Sequence, residues 1–179
     1  MEIKIIGMYE LNQKEQDAIK DAVELGIPVL NSNVFKLAII YSTFRENKGY
    51  SSKQIYEMIM NGGDQHLDGT FPLDQTMDLD ITGFWSASKT IGYTNLRGIK
   101  TYINRSFLQR FDASEIFGHI IHEYCHKLDF AHRSWFGRQK SVPYVCGYKA
   151  RDAFKEFYSR PSLNQVPSAL KANVEFQLL

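Results

Sequence analysis

The sequence predicts an α+β fold built around a small, mostly antiparallel sheet. Two observations lead there. Three short runs rich in β-branched and aromatic residues follow one another between residues 78 and 104, and a periodic apolar stretch carrying a His-Glu-x-x-His sequence comes after them. Strands grouped in sequence and followed by helices is the order of α+β domains, not of alternating βαβ units. The sheet would be flanked by the motif-bearing helix and by further helices.

In chain order, residues 14–25 place Ala18, Ile19, Ala22, Val23 and Leu25 at helical spacing and stop at Gly26 before Pro28, which predicts a packing helix. Residues 34–44 are dense in β-branched and aromatic types and predict a buried strand, with a short buried helix as the alternative. Ser51 followed by Gln54 resembles a capping box, and Ile55, Met58 and Ile59 then form an apolar stripe that ends at Gly62 and Gly63. Residues 62–76 hold glycines, aspartates and a proline without periodicity, the composition of an exposed loop. Strands are expected at 78–85, 90–94 and 99–104. Ser114 as N-cap, with Glu115 in the first turn, starts a helix that should reach about Leu128. An irregular segment then leads to a last helix at about 148–157.

The five prolines are scattered and no repeat marks a boundary, so one domain over residues 1–179 is expected. It would comprise a helical and strand portion (1–76), the sheet, motif helix and last helix (77–160), and a tail (161–179). Lys and Arg total 21 against 20 Asp and Glu, and a net charge of +1 gives no global field for nucleic acid or anionic membrane. The first sixteen residues turn charged after a short apolar run and lack the apolar core of a secretory signal. The longest apolar stretches fall far short of the roughly 20 residues a membrane helix needs. Two cysteines, Cys125 and Cys146, do not make a disulfide framework. A soluble, cytoplasmic protein with no membrane or nucleic-acid partner is expected.

The chemistry concentrates in the run from His122 to His132, HEYCHKLDFAH. Residues four apart on a helix differ by about 40° in direction and about 6 Å in height, so the imidazoles of His122 and His126 can meet one ion. Catalytic zinc takes three protein ligands at about 2.0–2.1 Å for nitrogen and keeps a fourth position open. His132 supplies the third if the chain turns back after the helix. Glu123 points about 100° from His122, beside the metal, where its carboxylate can act as general base toward a metal-activated water. A composition-matched shuffle yields HExxH with a third His at this spacing with a probability of only about 0.0002. A continuing helix would instead place Asp129 on the ligand face as a carboxylate donor.

These eleven residues resemble the signature HExxHxxGxxH of the metzincin zinc peptidases and, more loosely, the zincins with HExxH alone. The resemblance implies a zincin-like fold, a Zn2+ cofactor and hydrolysis of a protein or peptide substrate bound in extended form along an edge strand. Here that strand would come from residues 90–94 or 99–104. Two departures stand out. Asp129 replaces the family glycine, and no methionine follows Met77 to form the family's methionine turn. Residues 141–148 look like a substituted version of that turn, and Tyr144, ahead of Tyr148, would hydrogen-bond the reacting group as a catalytic residue. A small domain of this kind fits a phage or bacterial accessory protein.

Other residues carry weaker signals. His119, one turn before His122, is expected to pack or face solvent, with a supporting role at the metal as the alternative. Cys125 reads as a small buried hydrophobe. Cys146 reads the same way, or as a thiolate blocking the open metal position. Trp85, Trp135 and Phe136 could line a specificity pocket or pack under loops. Two other functions stay open: a non-catalytic zinc-stapled binding or structural module, and a protease acting on DNA-bound proteins, for which Arg133, Arg138 and Lys140 form a small basic cluster.

Overall fold

The computed structural model describes residues 1–132 and 137–159. Its strands are β1 (Glu2–Tyr9), β2 (Thr76–Phe84), β3 (Gly92–Thr94) and β4 (Lys100–Asn104), and they form one sheet in the order β1-β2-β4-β3. The helices among the described residues are α1 (Gln13–Leu30), α2 (Asn33–Ile40), α3 (Ser52–Asn61), α4 (Arg105–Leu108), α5 (Ala113–Lys127) and α6 (Val142–Ser159), with a 3₁₀ turn at Arg138–Lys140. The α+β class holds.

The sheet is mixed, which corrects the mostly antiparallel expectation. β1 pairs with β2 and β2 with β4 in parallel, and only β3 runs antiparallel, against β4. Short links usually join antiparallel neighbours. Here residues 85–91 carry the chain past the position beside β2, β3 runs back along the sheet edge, and the turn at 95–99 returns it as β4 into the gap. β1 escapes the sequence reading although Ile3 and Ile5 alternate with Glu2 and Lys4. Its crossover to β2 contains three helices, ample for a parallel connection.

Local chemistry explains the helix boundaries. Asn12 caps α1 in a capping box with Glu15, and the helix continues through Gly26 and Pro28 instead of stopping there. Gly26 lies under the Phe117 ring, where a Cβ would overlap it, so it serves close helix approach. The strand expected at 34–44 is a helix up to Ile40: the Ser32 side chain accepts from the Phe35 amide and starts α2, which buries Phe35 and Ile39 one turn apart. The Ser51 and Gln54 capping box is present at α3, and residues 62–75 hold no helix or strand. α5 is capped by Asp112 with Glu115, two residues before the expected Ser114. α6 begins at Val142, well before residue 148, because Pro143 is tolerated in a first turn.

Met77, Leu79 and Ile81 of β2 join Ile19, Val23, Phe117 and Ile121 in a single core, and α5 packs against both α1 and α6. Lys127, the last residue of α5, is buried and donates from Nζ to the Asp78 carbonyl at 2.5 Å, with the carboxylates of Asp64, Asp78 and Asp80 around it. The end of the motif helix is thereby tied to β2. No single helix among the described residues is long and apolar enough to cross a membrane. The tail at 161–179, together with Arg133, Trp135 and Phe136, lies outside the described residues.

Candidate metal centre

α5 has two faces with different work. Ile116, Phe117, Ile120, Ile121 and Tyr124 enter the core, while His119, His122, Glu123 and His126 line a cleft of about 750 Å³ between α5, α6 and the sheet-edge strand β3. α6 comes close enough to complete the cleft because glycines meet at the crossing. A Cβ on Gly118 would lie 2.8 Å from the Gly147 carbonyl, and one on Gly147 would crowd His122.

The chain turns back after α5 as the three-ligand reading requires. The Phe130 amide donates to the Cys125 carbonyl at 2.9 Å and the Asp129 amide to the His126 carbonyl at 3.0 Å, with Asp129 at φ 70°. That is a Schellman turn with aspartate in the left-handed position where glycine is usual. It delivers His132 to the other two histidines. One donor nitrogen from each of His122, His126 and His132 lies within 4.8 Å of the others, and the rings sit 4.9–5.7 Å apart. The Asp129 carboxylate points elsewhere, onto Lys48 and Arg97.

Three imidazoles in one place suit a borderline-soft metal ion. Burial pushes His122 well below its ordinary 6.5, and burial brings His126 down to about 4 against the opposing pull of the Phe130 carbonyl. His126 Nδ1 lies 2.7 Å from that carbonyl and donates to it, which leaves Nε2 as the ligand atom. The Pro143 backbone likewise opposes the effect of burial on His122. The described residues therefore fit a metal ion on the chemistry of the donors and on the carbonyl that orients His126.

Glu123 is 2% exposed, and burial pushes its carboxyl up to about 7 against a hydrogen bond from the Thr94 side chain that holds it down. Thr94 ends β3 and lies 3.1 Å, hydroxyl to hydroxyl, from Thr101 on β4. His119, expected to pack or face solvent, is packed and also lines the cleft, with Nε2 3.6 Å from Glu123 Oε1. Neither His119 Nε2 nor Glu123 Oε2 has a hydrogen-bond partner among the described residues. Burial, reinforced by His126, takes His119 down to about 4. Its ring fits because the facing strand residue is Gly92, where a Cβ would overlap the imidazole.

Tyr144 stands on the first turn of α6, so Val142 to Tyr148 are helical and not a substituted turn. Its ring centroid is 4.6 Å from that of His122 and 5.2 Å from that of His132, which puts the phenol at the triad. Tyr148 lies one turn further out under the Arg151 guanidinium. Cys146 is buried against Cys125, behind α5, and takes no part in the cleft, which removes the blocking-thiolate reading. Trp85 is 59% exposed and stacks with Arg105 away from the cleft lining, so it lines no pocket there.

Thr94, the Phe130 carbonyl, the Pro143 backbone and the Lys48 and Arg97 cations escaped sequence reading. Only His119 left a trace, three residues before His122 on the same helical face. Comparison of the chain with protein-family models, curated protein sequences and solved structures finds no match.

Proposed function

We propose that the chain is a zinc-dependent endopeptidase of the zincin kind, with His122, His126 and His132 as ligands and Glu123 as general base. One observation carries this reading: three converging histidines share a cleft with a buried carboxylate and a sheet edge that is unpaired among the described residues. A metal that only stapled the fold would need closed coordination and no base, whereas Glu123 sits buried beside an open cleft.

Bound zinc would supply Lewis acidity and activate water near neutral pH. The chain's own residues do the rest. Among the described residues β3 is paired on one edge, toward β4, so its other edge can receive an extended peptide by backbone hydrogen bonds. A carboxyl whose burial holds it near 7 can accept a proton and return it to a leaving amine around neutral pH. The Tyr144 phenol, next to His122 and His132, can donate to a carbonyl oxygen gaining negative charge.

The test is elemental analysis of purified protein together with cleavage of a broad peptide library by wild type and Glu123→Gln. Stoichiometric zinc in both, with cleavage at least 10²-fold slower in the variant, is expected. Equal inertness of both proteins with zinc present would sink the enzyme reading and leave a zinc-bearing structural module.

A further inference from the structure

The turn between the second and third histidines is held from outside. Asp129 occupies a left-handed backbone conformation, which costs a non-glycine residue about 1 kcal/mol. Its Oδ2 accepts from Lys48 Nζ at 2.6 Å and from Arg97 Nη2 at 3.0 Å. Lys48 comes from the segment between α2 and α3, and Arg97 from the β3–β4 turn. The Arg97 backbone amide also donates to the His126 carbonyl at 3.1 Å. Two loops remote in sequence thus converge on one residue, at a turn bounded by His126 and His132.

Glycine at position 129 would remove the backbone strain, so a residue whose only task was to permit the turn would gain nothing by being aspartate. The strain is matched by two charge-assisted hydrogen bonds that glycine cannot make. We propose that Asp129 is a positioning residue: clamped by Lys48 and Arg97, it fixes the turn so that His126 and His132 are already placed when the ion arrives. The proposal rests on the reading of the triad as a zinc site. It assigns Lys48 and Arg97 to the metal centre, although neither touches a ligand side chain.

The experiment measures zinc affinity of the full chain by competition with a chromophoric chelator, alongside melting of the metal-free protein and the visible absorption of the cobalt form. Asp129→Gly is expected to bind zinc about 10-fold more weakly, with metal-free melting unchanged or raised and a shifted cobalt spectrum. Lys48→Gln combined with Arg97→Gln leaves residue 129 intact and is expected to show the same loss, with no further loss when Asp129→Gly is added. An Asp129→Gly protein with wild-type zinc affinity and cobalt spectrum overturns the proposal. So does a loss of affinity in Asp129→Gly that the Lys48 and Arg97 pair does not reproduce. A wild-type chain that takes up no zinc removes the centre itself, and this is read before any variant.

Discussion

A carboxylate kept out of water beside a cleft works against the stability of the fold that holds it, and Glu123 is in that position. Its folded pKa, about 7, lies above the ordinary 4.5, so the folded state binds the extra proton and stability falls as pH rises from about 4.5 to about 7. In metal-free protein, Glu123→Gln should therefore melt together with wild type near pH 4. Above pH 7 it should be the more stable, by on the order of 2 kcal/mol. Calorimetry at both pH values checks this, and a difference that does not change with pH would mean the carboxylate carries no burial cost. The histidines titrate with the opposite sign: His119 and His126 are lowered to about 4, so the stability they contribute is lost as pH falls from 6.5 toward 4. At this scale much was legible in the sequence. His122, Glu123 and His126 follow from helical geometry, and His132 from spacing. Thr94, Lys48 and Arg97 were not legible, because the fold, not local spacing, brings them to the motif.

Elements divide differently. The capping box at Ser51, the break at Gly62 and the motif helix could be read because the signals are local. The error at residues 34–44 has a physical cause: a short apolar run suits helix and strand alike, and the Ser32 cap decides. Gly26 and Pro28 misled for a related reason, since tertiary packing against Phe117 overrides their stop signal. α5 itself depends on a buried cation. Lys127 lies among Asp64, Asp78 and Asp80, and burial lowers its pKa while those carboxylates raise it. Lys127→Met should destabilise the protein by about 3 kcal/mol, because truncating one partner leaves buried carboxylates uncompensated. Urea denaturation measures that loss, and adding Asp64→Asn should recover part of it. Full stability of the single variant would show that the cation does not anchor the helix.

For the whole molecule, strand order was the least legible property. Nothing local in residues 85–99 says that the chain skips a place and returns, yet that hop puts β3 at the edge and Thr94 against Glu123. Metal should couple to the entire fold: zinc at 100 times its Kd should add about 2.7 kcal/mol to unfolding, and chelation should remove it. His132→Ala should lose most of that increment, and an equal zinc-induced rise in melting temperature for the variant would remove His132 from the ligand set. The three histidines also span only eleven residues, 122 to 132. Joining donors so near in the chain costs little loop entropy, whereas β3 and α6 reach Glu123 and the triad only through long-range assembly. On the proposed reading, the ligands come from one short stretch and the cleft over them from distant ones, so a change in β3 that spoils cleavage can leave the zinc in place.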